Sequence, residues 1–158
     1  MKKWNWTELL ISVVLAELTG GLSALLAGSY SAFYREIVQP PFAPPGAVFP
    51  VVWAILYALM GISAYLIWRE ADFGMRRRRA LTLYAVQLAV NFMWSILFFR
   101  FRLFAVSAVT AILLAVLVAL MMIQFAKVKR TAAWMNLPYL LWSIFAAYLA
   151  AGVWVLNG

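Results

Sequence analysis

The sequence predicts an all-α membrane protein, a bundle of five transmembrane helices, and three observations carry that prediction. The chain of 158 residues is 67% hydrophobic and 11% charged, where a soluble domain is nearer about 45–50% apolar. Its mean hydropathy is +0.93. Its apolar residues fall in five runs, at 7–28, 46–68, 80–99, 103–126 and 134–156, each close to the ~20 residues that cross a ~30 Å hydrocarbon core as a helix. The runs are unbroken rather than alternating, which favours helices over a closed β-barrel. Residues 1–158 are read as one domain, with a proline-rich external loop at 29–45.

Lys2 and Lys3 precede the first run, but its length and the central Glu17 do not suit a signal peptide, so it is read as an uncleaved span. Glu17 is the one ionisable group deep in the membrane, about 15 Å from either helix end by rise. An ionised carboxylate there is costly, so Glu17 is expected to be protonated or paired with Gln87 or Asn91. Gly20, Ala24 and Gly28 form a small-residue face, as do Ala85 with Ala89 and Ala146 with Ala150. Such faces serve contacts within a protomer or a homodimer.

The stretch Gln39–Tyr57 holds five of the six prolines. Pro40, Pro41, Pro44 and Pro45 exclude helix over 39–45 and favour polyproline geometry. Pro45-Gly46 stands where a helix can begin, and Trp53 and Tyr57, at i and i+4, share a face of it. On the third span Gln87, Asn91 and Ser95 lie at i, i+4 and i+8, one face that should turn to the bundle interior. That stripe serves interhelical hydrogen bonds or a ligand. The short link Arg100–Arg102 makes the third and fourth spans antiparallel neighbours. Pro138 enters the fifth span about one turn in and is expected to bend it.

Of the eight tryptophans, Trp4, Trp6, Trp68, Trp134 and Trp154 fall at the interfaces, where amphipathic rings belong. Trp53, Trp94 and Trp142 remain at membrane depth, where an indole N–H needs a partner. Beside a polar stripe they read as a site. Helical rise places Trp53 about 10 Å, Asn91 about 12 Å and Trp142 about 21 Å below the outer surface, which makes Trp142 the floor.

Ten basic residues (Lys2, Lys3, Arg69, Arg76 to Arg79, Lys127, Lys129, Arg130) mark one side, against Arg35, Arg100 and Arg102 on the other. The N-terminus is therefore expected in the cytoplasm and the C-terminus outside. These charges sit between the apolar runs, so the net charge of +8 does not indicate nucleic acid. The chain has no Cys and no His, which excludes disulfides, thiol catalysis, zinc sites and His-ligated haem. No metal set, cofactor fingerprint or nucleophile–base pair is present, and no resident cofactor is expected.

Together the Pro41–Gly46 loop, Trp53-Ala54-Ile55-Leu56-Tyr57, Asn91 through Trp94 to Phe98-Phe99, and Pro138-Tyr139 through Trp142 to Phe145-Ala146 resemble the translocator protein family, also called tryptophan-rich sensory proteins or peripheral-type benzodiazepine receptors. The resemblance covers nearly all five spans. It implies a pocket under the first long loop that binds porphyrins such as protoporphyrin IX, isoquinoline carboxamide drugs and, in animal members, cholesterol. The candidate ligand-binding residues are Phe42, Pro44, Trp53, Tyr57, Gln87, Asn91, Trp94, Pro138, Trp142, Phe145 and Ala146, and the resemblance maps the family's pocket asparagine onto Asn91. Some bacterial members are described as degrading protoporphyrin in light with two tryptophans, which map onto Trp53 and Trp142 as catalytic residues. Phe42 departs from the Trp common in that loop, and no basic residue follows Tyr148, so the animal cholesterol motif is not matched. The implied function is tetrapyrrole binding in transport, sensing or disposal, in a bacterial cell membrane. The alternatives are a light-dependent porphyrin-degrading enzyme and a lipid or sterol binder.

Overall fold

The computed structural model describes residues 3–70 and 74–158; Lys2 lies outside the described residues. Helix α1, Trp6–Ala27, begins where the Asn5 side chain accepts the backbone N–H groups of Thr7 and Glu8 at 3.0 and 3.3 Å, which satisfies two of the free donors of a first turn. It stops at Gly28, whose φ of +94° is left-handed and whose N–H reaches the Ala24 carbonyl.

The segment read from sequence as loop contains a short helix. Helix α2, Tyr30–Glu36, is capped by Ser29, whose hydroxyl accepts from Ala32 N–H at 3.3 Å, and it buries Phe33 and Tyr34. Residues 37–47 are non-helical, as the prolines require. That stretch is fastened to the end of the chain. Tyr148 Oη donates to the Pro41 carbonyl at 2.7 Å. Asn157 donates to the Val38 carbonyl and accepts from its N–H, each at 2.8 Å.

Helix α3, Val48–Trp68, follows a tight turn in which Val48 N–H meets the Pro45 carbonyl at 3.0 Å, with Pro50 in its first turn. Helix α4, Gly74–Ser95, starts well before the apolar run at residue 80, because Arg76 to Arg79 are good helix formers. It widens into a π-helical turn, Ile96–Arg100, closed by the Phe101 N–H on the Ile96 carbonyl at 3.1 Å. That extra width lets consecutive Phe98 and Phe99 both turn inward. Helix α5, Phe104–Ala126, follows at once. The last span is divided into α6, Arg130–Trp134, and α7, Leu137–Asn157. The expected bend is thus a full break at Met135–Asn136. Buried Asn136 seals it, donating to Ser63 Oγ on α3 and to the Ala132 carbonyl, both at 2.9 Å.

Among the described residues five helices are long and apolar enough to cross a membrane, and they pack as a ring in the order α3–α1–α4–α5–α7. Small residues set the tightest approaches. A Cβ on Gly61 would meet the Val13 backbone at 2.6 Å, and one on Gly20 the Tyr57 ring at 2.3 Å. Ser12 Oγ, beside Val13, donates to the Gly61 carbonyl at 2.7 Å. The Gly20 face therefore works within the protomer, α1 against α3. Ala146 and Ala150 are buried as well, whereas Ala85 and Ala89 face outward.

Glu17 is not paired with Gln87 or Asn91. It sits half-buried on the flank of α1 and makes no hydrogen bond or ion pair among the described residues. Both amides are engaged by α7 instead.

A candidate ligand site where the helix ring closes

The ring of helices closes between α3 and α7, and aromatic side chains make that closure. Their register follows from helical spacing. Phe49, Trp53 and Tyr57 repeat every four residues on the inner face of α3, while Tyr139, Trp142 and Ala146 repeat every three or four on α7. The Trp53 ring lies 6.2 Å from Tyr139, 6.5 Å from Trp142, 5.7 Å from Tyr57 and 6.4 Å from Trp94, centroid to centroid. Phe49 meets Trp142 edge to face at 5.7 Å and stacks on Tyr34 at 5.2 Å. Phe145 continues from Trp142 at 5.5 Å. Offset and edge geometries of this kind are the favoured ones for aromatic pairs.

A polar layer lies beneath these rings. Tyr139 donates its hydroxyl proton to Gln87 Oε1 at 2.5 Å and accepts from Asn91 Nδ2 at 3.0 Å. Gln87 Nε2 contacts the Met60 sulfur at 3.7 Å. Gln87, Asn91 and Tyr139 are each 0% exposed. Two polar atoms here are buried with no partner among the described residues: Oδ1 of Asn91 and Nε1 of Trp142. Buried polar atoms are nearly always satisfied, so an unmatched acceptor and an unmatched donor flanking one tryptophan are unusual.

The layout corrects the depth order expected from rise along each helix. Trp142 touches Phe49, in the first turn of α3, so it stands above the Asn91–Tyr139–Gln87 layer, and that layer is the floor. Depth counted from the end of α7 misplaces Trp142, because α7 runs past the loop that covers the site. A Cβ on Gly152 would meet Pro40 at 2.6 Å, and Asn157 still reaches Val38.

The structure separates the sequence candidates. Trp53, Tyr57, Gln87, Asn91, Trp142, Phe145 and Ala146 converge on the closure. Trp94 stands one ring behind. Its N–H is already given to the Ser107 carbonyl at 3.1 Å and its face stacks on Phe98 at 5.3 Å. Ser95 belongs to the same buried face but joins none of these bonds. Pro138 lines the outer wall. Pro44 is half-buried in the covering loop, whereas Phe42 is 91% exposed at its tip, with a φ of +64°. Sequence reasoning did not place Phe49, Tyr139 or the lid residues Tyr30 and Tyr34 in the site. Phe49 was legible, four residues before Trp53. The α2 residues carried no pattern that points to a site. Burial pushes the Tyr30 and Tyr34 phenols above their ordinary range, so these two hydroxyls stay protonated even in alkaline solution.

Outside this closure, α3 and α7 leave a cleft of about 380 Å³ lined by Val52, Ile55, Leu56, Pro138, Leu141, Trp142 and Phe145. That volume falls in the ~300–1,000 Å³ range of small-molecule clefts. Ile55 and Leu141 are exposed, so the cleft opens sideways, toward the bilayer, with Trp142 between it and Trp53.

Residues 10–155 match the model of the TspO/MBR family. The chain is 33% identical to the tryptophan-rich protein TspO of Chlorobaculum tepidum over 131 residues, 80% of each chain. It is also 33% identical to the tryptophan-rich protein TspO of Archaeoglobus fulgidus over 150 residues, 94% of this chain and 96% of the relative. Against the translocator protein of Ovis aries it is 35% identical over 130 residues, 82% of this chain and 77% of the relative.

Proposed function

The chain belongs to the TspO/MBR family, and from that membership and its aromatic site we propose that it binds a flat, apolar tetrapyrrole such as protoporphyrin IX, for transport, sensing or disposal. The observation that carries this reading is the pair of orphaned atoms beside Trp53. Protoporphyrin carries its peripheral polar groups, two propionic carboxyls, at one edge of the plane. A carboxyl oxygen there accepts from Trp142 Nε1 and a protonated carboxyl donates to Asn91 Oδ1, while the macrocycle faces lie on indole and phenyl rings. Access runs sideways through the α3–α7 cleft, where separation of aromatic rings, rather than of interlocked small residues, is all that opening requires. The covering loop, tied to α7 by Tyr148 and Asn157, stays shut.

A second reading keeps the same site. Trp53 and Trp142 are the two indoles nearest the bound macrocycle in this arrangement, so under light either would give an electron to the excited porphyrin, with dioxygen as the oxidant that opens the ring. A lipid or sterol binder is the third.

Quenching of tryptophan emission by protoporphyrin separates these. Trp53→Ala and Trp142→Ala should each weaken binding at least about tenfold, from lost area and lost ring contacts. Trp134→Ala, at an exposed interfacial position, should not. Equal affinity in all three variants would remove the ligand from this closure. Trp53→Phe and Trp142→Phe should keep most binding, and loss of light-dependent product in them alone would select the degrading enzyme. Competition by sterol would select the third reading.

A further inference from the structure

Helices α1 and α4 are joined by hydrogen bonds toward one end of the bundle. There Ser23 Oγ donates to the Phe92 carbonyl at 2.9 Å and Arg100 Nη1 to the Leu26 carbonyl at 3.2 Å. Toward the basic end they part over α3, leaving an apolar cleft of about 360 Å³ with Ile11 and Leu15 on one wall, Leu81 and Tyr84 on the other and Ala64 and Tyr65 as floor. Its rim continues, across Trp68 and Leu81, into a second cavity of about 540 Å³ along α4 that includes Arg77 and Arg78.

We propose that this cleft is a binding site for one anionic phospholipid of the leaflet at the basic end, with an acyl chain between α1 and α4 and the phosphate on Arg77 and Arg78. Arg77, Leu81 and Tyr84 stand at i, i+4 and i+7, on one face of α4. The guanidinium is thus about 6–10 Å above the apolar wall, by helical rise, as a headgroup is above the start of its chain. Arg77 is held at the mouth. Its guanidinium lies 5.7 Å over the Trp68 ring, and Nη1 donates to the carbonyls of Trp68 and Glu70 at 3.4 and 3.2 Å. Nε and Nη2, which make no hydrogen bond among the described residues, remain for a phosphate. Glu8, on the α1 rim, repels an anion there and leaves it the α4 side. A run of arginines that served only to set topology would need no groove beneath it. Basic pockets between spans are where anionic headgroups bind.

The test is the motionally restricted fraction of chain-spin-labelled phosphatidylglycerol or phosphatidylcholine around the protein reconstituted in phosphatidylcholine bilayers. Phosphatidylglycerol should be preferred by the native protein. Arg77→Gln with Arg78→Gln should cut that preference by about fivefold per arginine and leave phosphatidylcholine unchanged. Leu15→Trp, which fills the cleft from an exposed position, should reduce restriction of both lipids. Lys127→Gln with Arg130→Gln, at exposed positions elsewhere on the basic end, should change neither. Equal restriction of the two lipids in the native protein, or an equal loss in the Lys127 and Arg130 variant, would overturn the site. Displacement of the label by inorganic phosphate alone would overturn the lipid as its occupant.

Discussion

At the scale of single residues, the outliers carry the information. Phe42 combines a left-handed backbone, φ +64°, with 91% exposure. A bulky side chain held there costs about 1–3 kcal/mol and normally marks strain kept for a purpose. It touches none of the site's rings, so its place in the turn that carries Pro41 over α7 is what holds it. Phe42→Gly should therefore raise thermal stability in detergent by up to about 1 kcal/mol. Protoporphyrin affinity should stay within about twofold, a change worth under about 0.5 kcal/mol. A large loss of affinity would return Phe42 to the site. Glu17 is the second outlier, a carboxyl group at mid-span with no partner among the described residues. Glu17→Gln should leave the unfolding midpoint unchanged or slightly higher. Glu17→Lys should lower it, because a cation at the membrane centre costs at least about 2.5–3.5 kcal/mol. A marked drop in the Gln variant would show that the carboxylate is charged and compensated. The sequence located Glu17 correctly at mid-span. It could not show that Gln87 and Asn91 were already taken, because their partner, Tyr139, lies on a helix whose register against α4 no spacing rule fixes.

At the scale of elements, what was legible is what local chemistry decides. The five spans follow from apolar length, and residues 39–45 stay non-helical because four prolines forbid otherwise. Short or junctional elements were not legible. Helix α2 has seven residues, too few for a periodic pattern. The break between α6 and α7 depends on Asn136 finding Ser63 across the bundle, and the π-helical turn on α4 depends on packing of Phe98 and Phe99. The small-residue faces were visible, but which of them would be used inside the protomer was not. Gly61 shows what decides it: the α1 backbone itself occupies the space of its Cβ. Gly61→Ala should lower stability by about 1–3 kcal/mol, the cost of overpacking, despite better helix propensity. Gly21→Ala, on the open side of α1 with nothing within 4 Å, should be neutral or gain up to about 1 kcal/mol. Thermal unfolding of the two variants side by side measures the difference. Similar midpoints would mean that α1 shifts on α3 without loss.

At the scale of the whole molecule, one asymmetry organises both ends of the bundle. The ring is tight between α1 and α3, where glycine brings backbones together, and looser at the α3–α7 closure, where rings alone meet above the Asn136–Ser63 contact. A bundle built that way holds its shape while one seam admits a ligand. Charge divides the molecule along the other axis. Of the three arginines at the loop end, Arg102 is paired with Glu36 and Arg100 is tied to the Leu26 carbonyl, whereas Arg76, Arg78 and Arg79 stand exposed at the opposite end. Lys and Arg beside the spans are what is retained in the cytoplasm, with little influence from neighbouring acidic residues, and the basic end carries ten of them against three, so the N-terminus and the α3–α4 connection should be inside and Gly158 outside. The chain has no cysteine of its own, which makes the test direct. Thr131→Cys is exposed at the basic end and leaves the charge count intact. Gly158→Cys reports the other end and keeps Asn157, whose side chain fastens the loop, with Gly158 shifting away from the Trp154 carbonyl that its Cβ would meet at 2.2 Å. In intact cells an impermeant thiol reagent should label Gly158→Cys at once and Thr131→Cys only after lysis. The reverse pattern would invert the orientation and place the covering loop, with its proline turn and tyrosine lid, on the cytoplasmic face.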